Sequence, residues 1–259
     1  MSDISVPYET SSFSQEGRAE NFYYKVSGLS MIGKSHLASG TENQDSFGVF
    51  TDSNSVAMAV ADGVGSCSHS KFGSKAATET IKSLQNAITH GPINVDERIN
   101  VASFVINEWQ SRIRGDLSDY ATTLKFVVFF PHFLLMGGIG DGAVFISIDR
   151  KEYSTFGADD LFLNWTDALT KDVDNNKFHV LKIDIPEQAK SIQVFLGTDG
   201  ITNEIVYGKE IHFLKYVANK INENADEYNR EIRDWLESLQ WKNGDDKTVL
   251  IFTATRSTI

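Results

Sequence analysis

One cysteine, Cys67, and four prolines stand among 259 residues. A lone thiol excludes an internal disulfide, so burial and hydrogen bonding must hold the fold together. The same scarcity favours a reducing compartment, and a cytoplasmic protein is expected. No run reaches the roughly 18 consecutive apolar residues that suggest a membrane span. Basic residues are also few, 24 Lys and Arg against 35 Asp and Glu, giving a net charge of −11. Nucleic acid would require a basic face and an anionic membrane a basic patch, so neither partner is expected. Met1–Glu20 is polar and lacks the apolar segment of a signal peptide.

Apolar residues make up 41% of the chain and charged residues 23%, an ordinary globular mixture with enough length to bury a sizeable core. Residues 1–20 carry no periodicity and read as a mobile tail; residues 21–259 contain no repeat or low-complexity linker and read as one domain. Short apolar runs predict strands at Tyr23–Ile32, Phe47–Phe50, Val56–Ala61, Leu124–Phe130, Phe133–Ile139, Ala143–Ile148, Phe178–Ile183, Ile192–Leu196 and Thr248–Ala254. Three- and four-residue apolar spacing predicts helices at Lys71–Ile88, Val95–Ile113, Glu210–Ile221 and Ala225–Leu239. Strand runs broken by pairs of long helices indicate a layered α+β architecture rather than alternating βαβ units.

One pattern recurs: an apolar strand that ends in Asp-Gly. It occurs at Val60-Ala61-Asp62-Gly63, Ile139-Gly140-Asp141-Gly142 and Gly197-Thr198-Asp199-Gly200. Asp245-Asp246 stands just before the run Val249-Leu250-Ile251-Phe252, and Asp45 just before Phe47-Gly48-Val49-Phe50. Asp-Gly alone is a common hairpin signal, and Asp141-Gly142, with strands on both sides, suits a plain turn as well as a ligand. Repetition behind several buried strands argues for more. Acids fixed at strand ends make rigid oxygen ligands, and neighbouring glycines let carbonyl oxygens approach. Converging carboxylates repel one another unless a cation intervenes, and oxygen-only ligation favours Mg²⁺ or Mn²⁺ over Zn²⁺.

Other chemistries lack their residues. Cys67 is followed six positions on by Gly73, so there is no cysteine-phosphatase loop. No Gly-x-Ser-x-Gly elbow, phosphate-binding Gly-x-x-x-x-Gly-Lys loop or His-Glu-x-x-His spacing occurs. Gly63-Val64-Gly65 lacks the third glycine of a dinucleotide fingerprint.

The ordered set Asn43-Gln44-Asp45-Ser46-Phe47, Val60-Ala61-Asp62-Gly63-Val64-Gly65, Ala121-Thr122-Thr123-Leu124, Ile139-Gly140-Asp141-Gly142, Thr198-Asp199-Gly200-Ile201 and Asp245-Asp246-Lys247-Thr248-Val249 resembles the metal-dependent type-2C protein serine/threonine phosphatases, especially their compact bacterial branch. The resemblance implies a four-layer α-β-β-α sandwich of two antiparallel sheets flanked by helices. It implies hydrolysis of phosphoserine and phosphothreonine in proteins by a water held between two divalent cations, Mn²⁺ or Mg²⁺. Asp62 would bridge both cations, with Asp199 and Asp245 completing one site and the Gly63 carbonyl serving the other. Asp45 would belong to the metal site by orienting metal-bound water for attack, and Asp141 would help hold a weaker third cation. A phosphorylated protein substrate and a partner Ser/Thr kinase follow from such an activity.

Two positions depart from the family pattern. Gln44 replaces the usual Glu before Asp45, and Gly40 stands where a phosphate-clamping arginine is expected. His36, within Gly33-Lys34-Ser35-His36, is the candidate substitute, although an ordinary hydrogen-bonding histidine fits equally. Asp246 falls where the family usually has Asn, which makes Asp245 the better ligand choice. These departures also motivate a second reading, a phosphatase-like binding module without turnover, and a Ca²⁺-stabilised structural protein is a third.

Overall fold

The computed structural model describes residues 10–91, 93–154 and 167–257. Among them are eleven strands: β1 (Thr10–Ala19), β2 (Phe22–Met31), β3 (Asp45–Thr51), β4 (Val56–Asp62), β5 (Leu124–Phe130), β6 (Phe133–Ile139), β7 (Ala143–Ile148), β8 (Lys151–Ser154), β9 (His179–Asp184), β10 (Ser191–Gly197) and β11 (Lys247–Arg256). The helices are α1 (Lys34–Ser39), α2 (Ser70–Thr89), α3 (Arg98–Arg112), α4 (Asp199–Thr202), α5 (Glu210–Glu223) and α6 (Ala225–Leu239). One sheet has the order β1-β2-β11-β10-β7-β8, the other β3-β4-β5-β6-β9. Every pairing in both is antiparallel.

Strand β4 shows how the layers arise. Successive side chains of a strand point to opposite faces. Val56, Met58 and Val60 enter the core between the two sheets, where they meet Val194, Leu196, Leu250 and Phe252. Ala57, Ala59 and Ala61 face the other way, toward Ala77, Ile81 and Leu84 of α2 and Trp109 of α3. Small alanines on that face let α2 lie close to the strand backbone, as dense packing requires. Across the molecule, Phe145, Phe195, Val249 and Ile251 pack outward against Leu214, Val217 and Ile221 of α5 and Leu236 of α6. Three apolar layers thus separate four structural layers. This is the α-β-β-α sandwich.

The expected tail requires correction. Residues 10–19 form β1 and pair with β2 along their whole length, from Thr10 opposite Met31 to Ala19 opposite Phe22. The turn is tight, with Glu20 in the left-handed region at φ 48°. Polar residues hid this strand: its inward positions include Gln15 and Gly17, and only Phe13 and Ala19 reach the apolar core. Gly17 is required there, because a Cβ would overlap the Tyr24 ring. Residues 1–9 of the expected tail lie outside the described residues. Helix α1 was also not legible as a helix, since none of its six residues is buried and it has no apolar face.

Candidate active site

Several critical residues continue an inter-sheet strand face beyond its apolar part. Asp62 follows Val56, Met58 and Val60 in alternation; Asp45 leads into Phe47 and Val49; Thr198 follows Val194 and Leu196; Asp246 and Thr248 lead into Leu250 and Phe252. All these termini lie at one end of the sandwich. The core between the sheets therefore becomes polar at that end.

Asp45 and Asp62 are direct partners across β3 and β4. The neighbouring Gln44–Gly63 pair is hydrogen-bonded, since the Gly63 N–H donates to the Gln44 carbonyl at 3.2 Å. Asp45–Asp62 is therefore a non-hydrogen-bonded pair, the kind whose side chains sit closest. Asp199 enters from the start of α4 and Asp141 from the β6–β7 loop. One carboxylate oxygen each from Asp62, Asp141 and Asp199 lie within 4.8 Å of one another. Asp141 is exposed and the other two half-buried. Its flanking Gly140 and Gly142 have φ of 86° and 78°, so the residue is both turn and cluster member.

Burial and mutual repulsion act on these acids together. Desolvation, then the charges of Asp45, Asp199, Asp245 and Asp141, push the Asp62 carboxyl up to about 10. Desolvation, with Asp141 and Asp245 beside it, raises Asp199 to about 7. Burial also raises Asp45, helped by Asp246 and opposed by hydrogen bonds from Thr198 and Thr248. Asp245, expected as a ligand beside Asp62 and Asp199, is not among the three acids whose oxygens converge within 4.8 Å, although its charge bears on both. An all-oxygen set under such repulsion suits a hard divalent cation, which would remove the repulsion it relieves.

The surrounding side chains fix these positions. Thr198 Oγ1 donates to Asp45 Oδ2 at 2.7 Å and accepts from the Thr248 N–H at 3.0 Å. Asp62 takes a main-chain hold from both sides of Thr123, whose N–H reaches the Asp62 carbonyl and whose Oγ1 accepts the Asp62 N–H. Gly63 runs so near α2 that a Cβ would come within 2.7 Å of the Ser70 backbone. At Gly200 a Cβ would overlap the Asp246 carbonyl.

Asp246 has a different part from its neighbour. Its buried carboxylate accepts from the Gly33 N–H at 2.6 Å, the Gln44 N–H at 2.6 Å and His36 Nδ1 at 2.8 Å. It thus joins α1, the start of β3 and β11, and it sets His36 at the edge of the acidic centre. Lys34 points its ammonium over the exposed Trp241 ring at 3.7 Å. Lys247 was missed by sequence reading. Fully buried, it donates to the carbonyls of Asn243 and Asp245, both at 2.7 Å, and so supports the loop that carries Asp245. A lysine inside an otherwise apolar strand start was the available signal.

The match to known proteins follows this geometry. A profile of the family described as Protein phosphatase 2C matches residues 32–237. Curated protein sequences give no match. Among solved structures, RsbX in complex with magnesium is 17% identical, with a TM-score of 0.59 over 94% of this chain and 100% of that one. The catalytic domain of the serine/threonine phosphatase PstP with two manganese ions is 16% identical, with a TM-score of 0.53 over 96% and 98%. A phosphatase 2C from Toxoplasma gondii is 12% identical, with a TM-score of 0.60 over 95% and 99%. Identities this low show a shared fold, while the family profile spans most of the chain. The chain therefore belongs to the protein phosphatase 2C family, the metal-dependent protein serine/threonine phosphatases.

Proposed function

We propose that the acidic end of the sandwich hydrolyses phosphoserine and phosphothreonine in proteins with two divalent cations, Mn²⁺ or Mg²⁺. The convergence of Asp62, Asp141 and Asp199 oxygens within 4.8 Å carries this reading. Asp62, Asp199 and Asp245 would hold one cation, Asp62 and the Gly63 carbonyl the other, and Asp141 a weaker third. Bound there, the cations supply an activated water and offset charge on the phosphoryl oxygens. Solved relatives of the fold are described with magnesium and with two manganese ions, which supports the choice of metal.

The chain's own residues do the positioning. Asp45, fixed by Thr198, accepts a proton or hydrogen bond from the attacking water and aligns it with phosphorus. His36 gives its Nδ1–H to Asp246, which leaves Nε2 to donate to a phosphoryl oxygen when the ring is protonated. That contact replaces the arginine absent at Gly40. A partner Ser/Thr kinase would supply the phosphorylated substrate. Among the described residues no helix is long and apolar enough to cross a membrane.

The test is phosphate release from phosphoserine, phosphothreonine and phosphotyrosine peptides with Mn²⁺ and with EDTA. Release from the first two that stops with EDTA supports the reading. Tight Mn²⁺ binding without release from any would make the chain a binding module.

A further inference from the structure

A groove of about 460 Å³ begins at Asn43 and Asp45 and runs beside β3, lined by Ser46–Phe50, by Thr10, Ser11 and Ser30, and by Lys71, Lys75, Thr78 and Glu79 of α2. Strand β3 is the edge of its sheet, paired only with β4. Its register decides which backbone groups are left over. Gln44 bonds to Gly63, so by alternation Ser46, Gly48 and Phe50 also bond to β4. Phe47 and Val49 must then turn their N–H and C=O groups away from β4. Among the described residues no hydrogen bond reaches those groups. An open strand edge with unpaired groups is a template for a further strand.

Charges of both signs flank this edge, and what matters is which are already paired: Glu79 of α2 faces Arg112 at 3.7 Å. Lys71 lies at the mouth, paired with Glu42 at 2.6 Å. Lys75 lines the groove, is exposed, and has no ion pair among the described residues. Lys82 sits 5.9 Å from the Phe50 ring at the far end. These cations stand on the α2 side of the edge, while the acidic centre lies at its start.

We infer that this groove is the substrate-polypeptide site: an extended phosphorylated segment adds as a strand along β3, with its phosphorylated residue at the Asp45 end and acidic side chains alternating toward Lys75 and Lys82. This rests on the phosphatase reading of the acidic centre and deepens it by naming a substrate class, extended and acidic around the phosphorylated residue. Two independent features support the same occupant. Main-chain pairing needs an extended partner, and Lys75, the groove lysine without an ion pair among the described residues, favours an acidic one. The groove is also continuous with the catalytic end through Asp45.

The experiment uses the full chain with Mn²⁺ and two substrates, p-nitrophenyl phosphate and a fluorescein-labelled phosphothreonine peptide carrying Asp at alternate positions. Lys75→Glu is expected to lower kcat/KM for the peptide about tenfold, mainly through KM, and to leave p-nitrophenyl phosphate turnover unchanged. Peptide amides are then N-methylated one at a time. Methylation on one alternate set is expected to weaken anisotropy-measured binding about tenfold, and on the other set to have no effect. Equal tolerance of all N-methyl groups, or an unchanged peptide KM in Lys75→Glu, overturns the inference. So does a gain in peptide binding on deleting residues 2–9, which would make the chain's own start the occupant. Loss of p-nitrophenyl phosphate turnover in the wild type would instead strike the phosphatase reading, and the binding arm would still decide the groove.

Discussion

Asp45 and Asp62 stand directly opposite each other on neighbouring strands, with their side chains on the same face of the sheet. Two carboxylates in that relation destabilise a sheet unless something of opposite charge lies between them. The fold therefore carries its tension where its chemistry is.

That tension predicts a pH dependence for the metal-free protein. Asp199 and Asp62 are raised from 3.8 to about 7 and about 10, so the folded state holds protons that the unfolded chain releases. Stability from these groups is full below the unfolded value near 3.8 and is lost as pH rises through about 7 toward about 10. In EDTA, Tm should fall between about pH 5.5 and about pH 8. Mn²⁺ at about a hundred times its Kd should restore about 2.7 kcal/mol, a rise of roughly 5–10 °C, with the larger gain at higher pH. Scanning calorimetry across that range checks both; a metal-free Tm that climbs with pH would contradict the arrangement.

Asp62→Asn and Asp199→Asn should separate activity from stability. Each removes a ligand, so Mn²⁺-dependent hydrolysis of a phosphate ester should drop by about three or more orders of magnitude. At about pH 8 Asp199→Asn removes a repelling charge, since Asp199 is raised only to about 7. Asp62→Asn replaces a carboxyl raised to about 10, and so held protonated, that the unfolded chain would ionise. In both, the metal-free Tm should rise by a few degrees, on the order of 1 kcal/mol. Unchanged turnover in either variant rejects the ligand assignment.

Asp246→Asn should act through geometry. An amide offers one acceptor oxygen where Asp246 takes three donors on two oxygens, so one N–H would face an N–H. The cost should be about 2–3 kcal/mol, read as a drop in Tm. His36→Ala removes one of the three donors to buried Asp246 and should cost about 1 kcal/mol, while raising KM for phosphopeptides about tenfold with a smaller change in kcat. Equal KM in His36→Ala and wild type would remove His36 from phosphate recognition.

Removing residues 1–20 tests the corrected N-terminal boundary. A tail could be cut without consequence, but β1 covers the edge of β2 over ten pairs and seats Phe13 against the core. The truncated protein should lose at least about 2 kcal/mol and self-associate through the uncovered β2 edge, seen by light scattering. A monomeric product of unchanged Tm would restore the tail.

Most strands and all long helices were legible because each buries one face, and that periodicity is written locally in residues such as Val56, Met58 and Val60. Strand β1 was not, because its pairing with β2 comes from backbone register and its inward side chains include Gln15 and Gly17. The acids were visible as a recurring strand–Asp–Gly pattern, but the pattern could not say which acid does what. Asp245 and Asp246 are adjacent and chemically identical, yet only Asp246 is buried beneath three donors.

By itself the sequence determined a layered α+β architecture, the set of acids and their preference for hard cations, because side-chain periodicity and ligand chemistry are local properties; the two antiparallel sheets were implied by the family resemblance. Tertiary structure alone decided that Asp62, Asp141 and Asp199 share one space, that Asp246 holds His36, and that β3 keeps an open edge beside Lys75. Those facts depend on strand order and on which ends of distant strands meet, and burial there turns ordinary surface acids into groups whose charges must be answered.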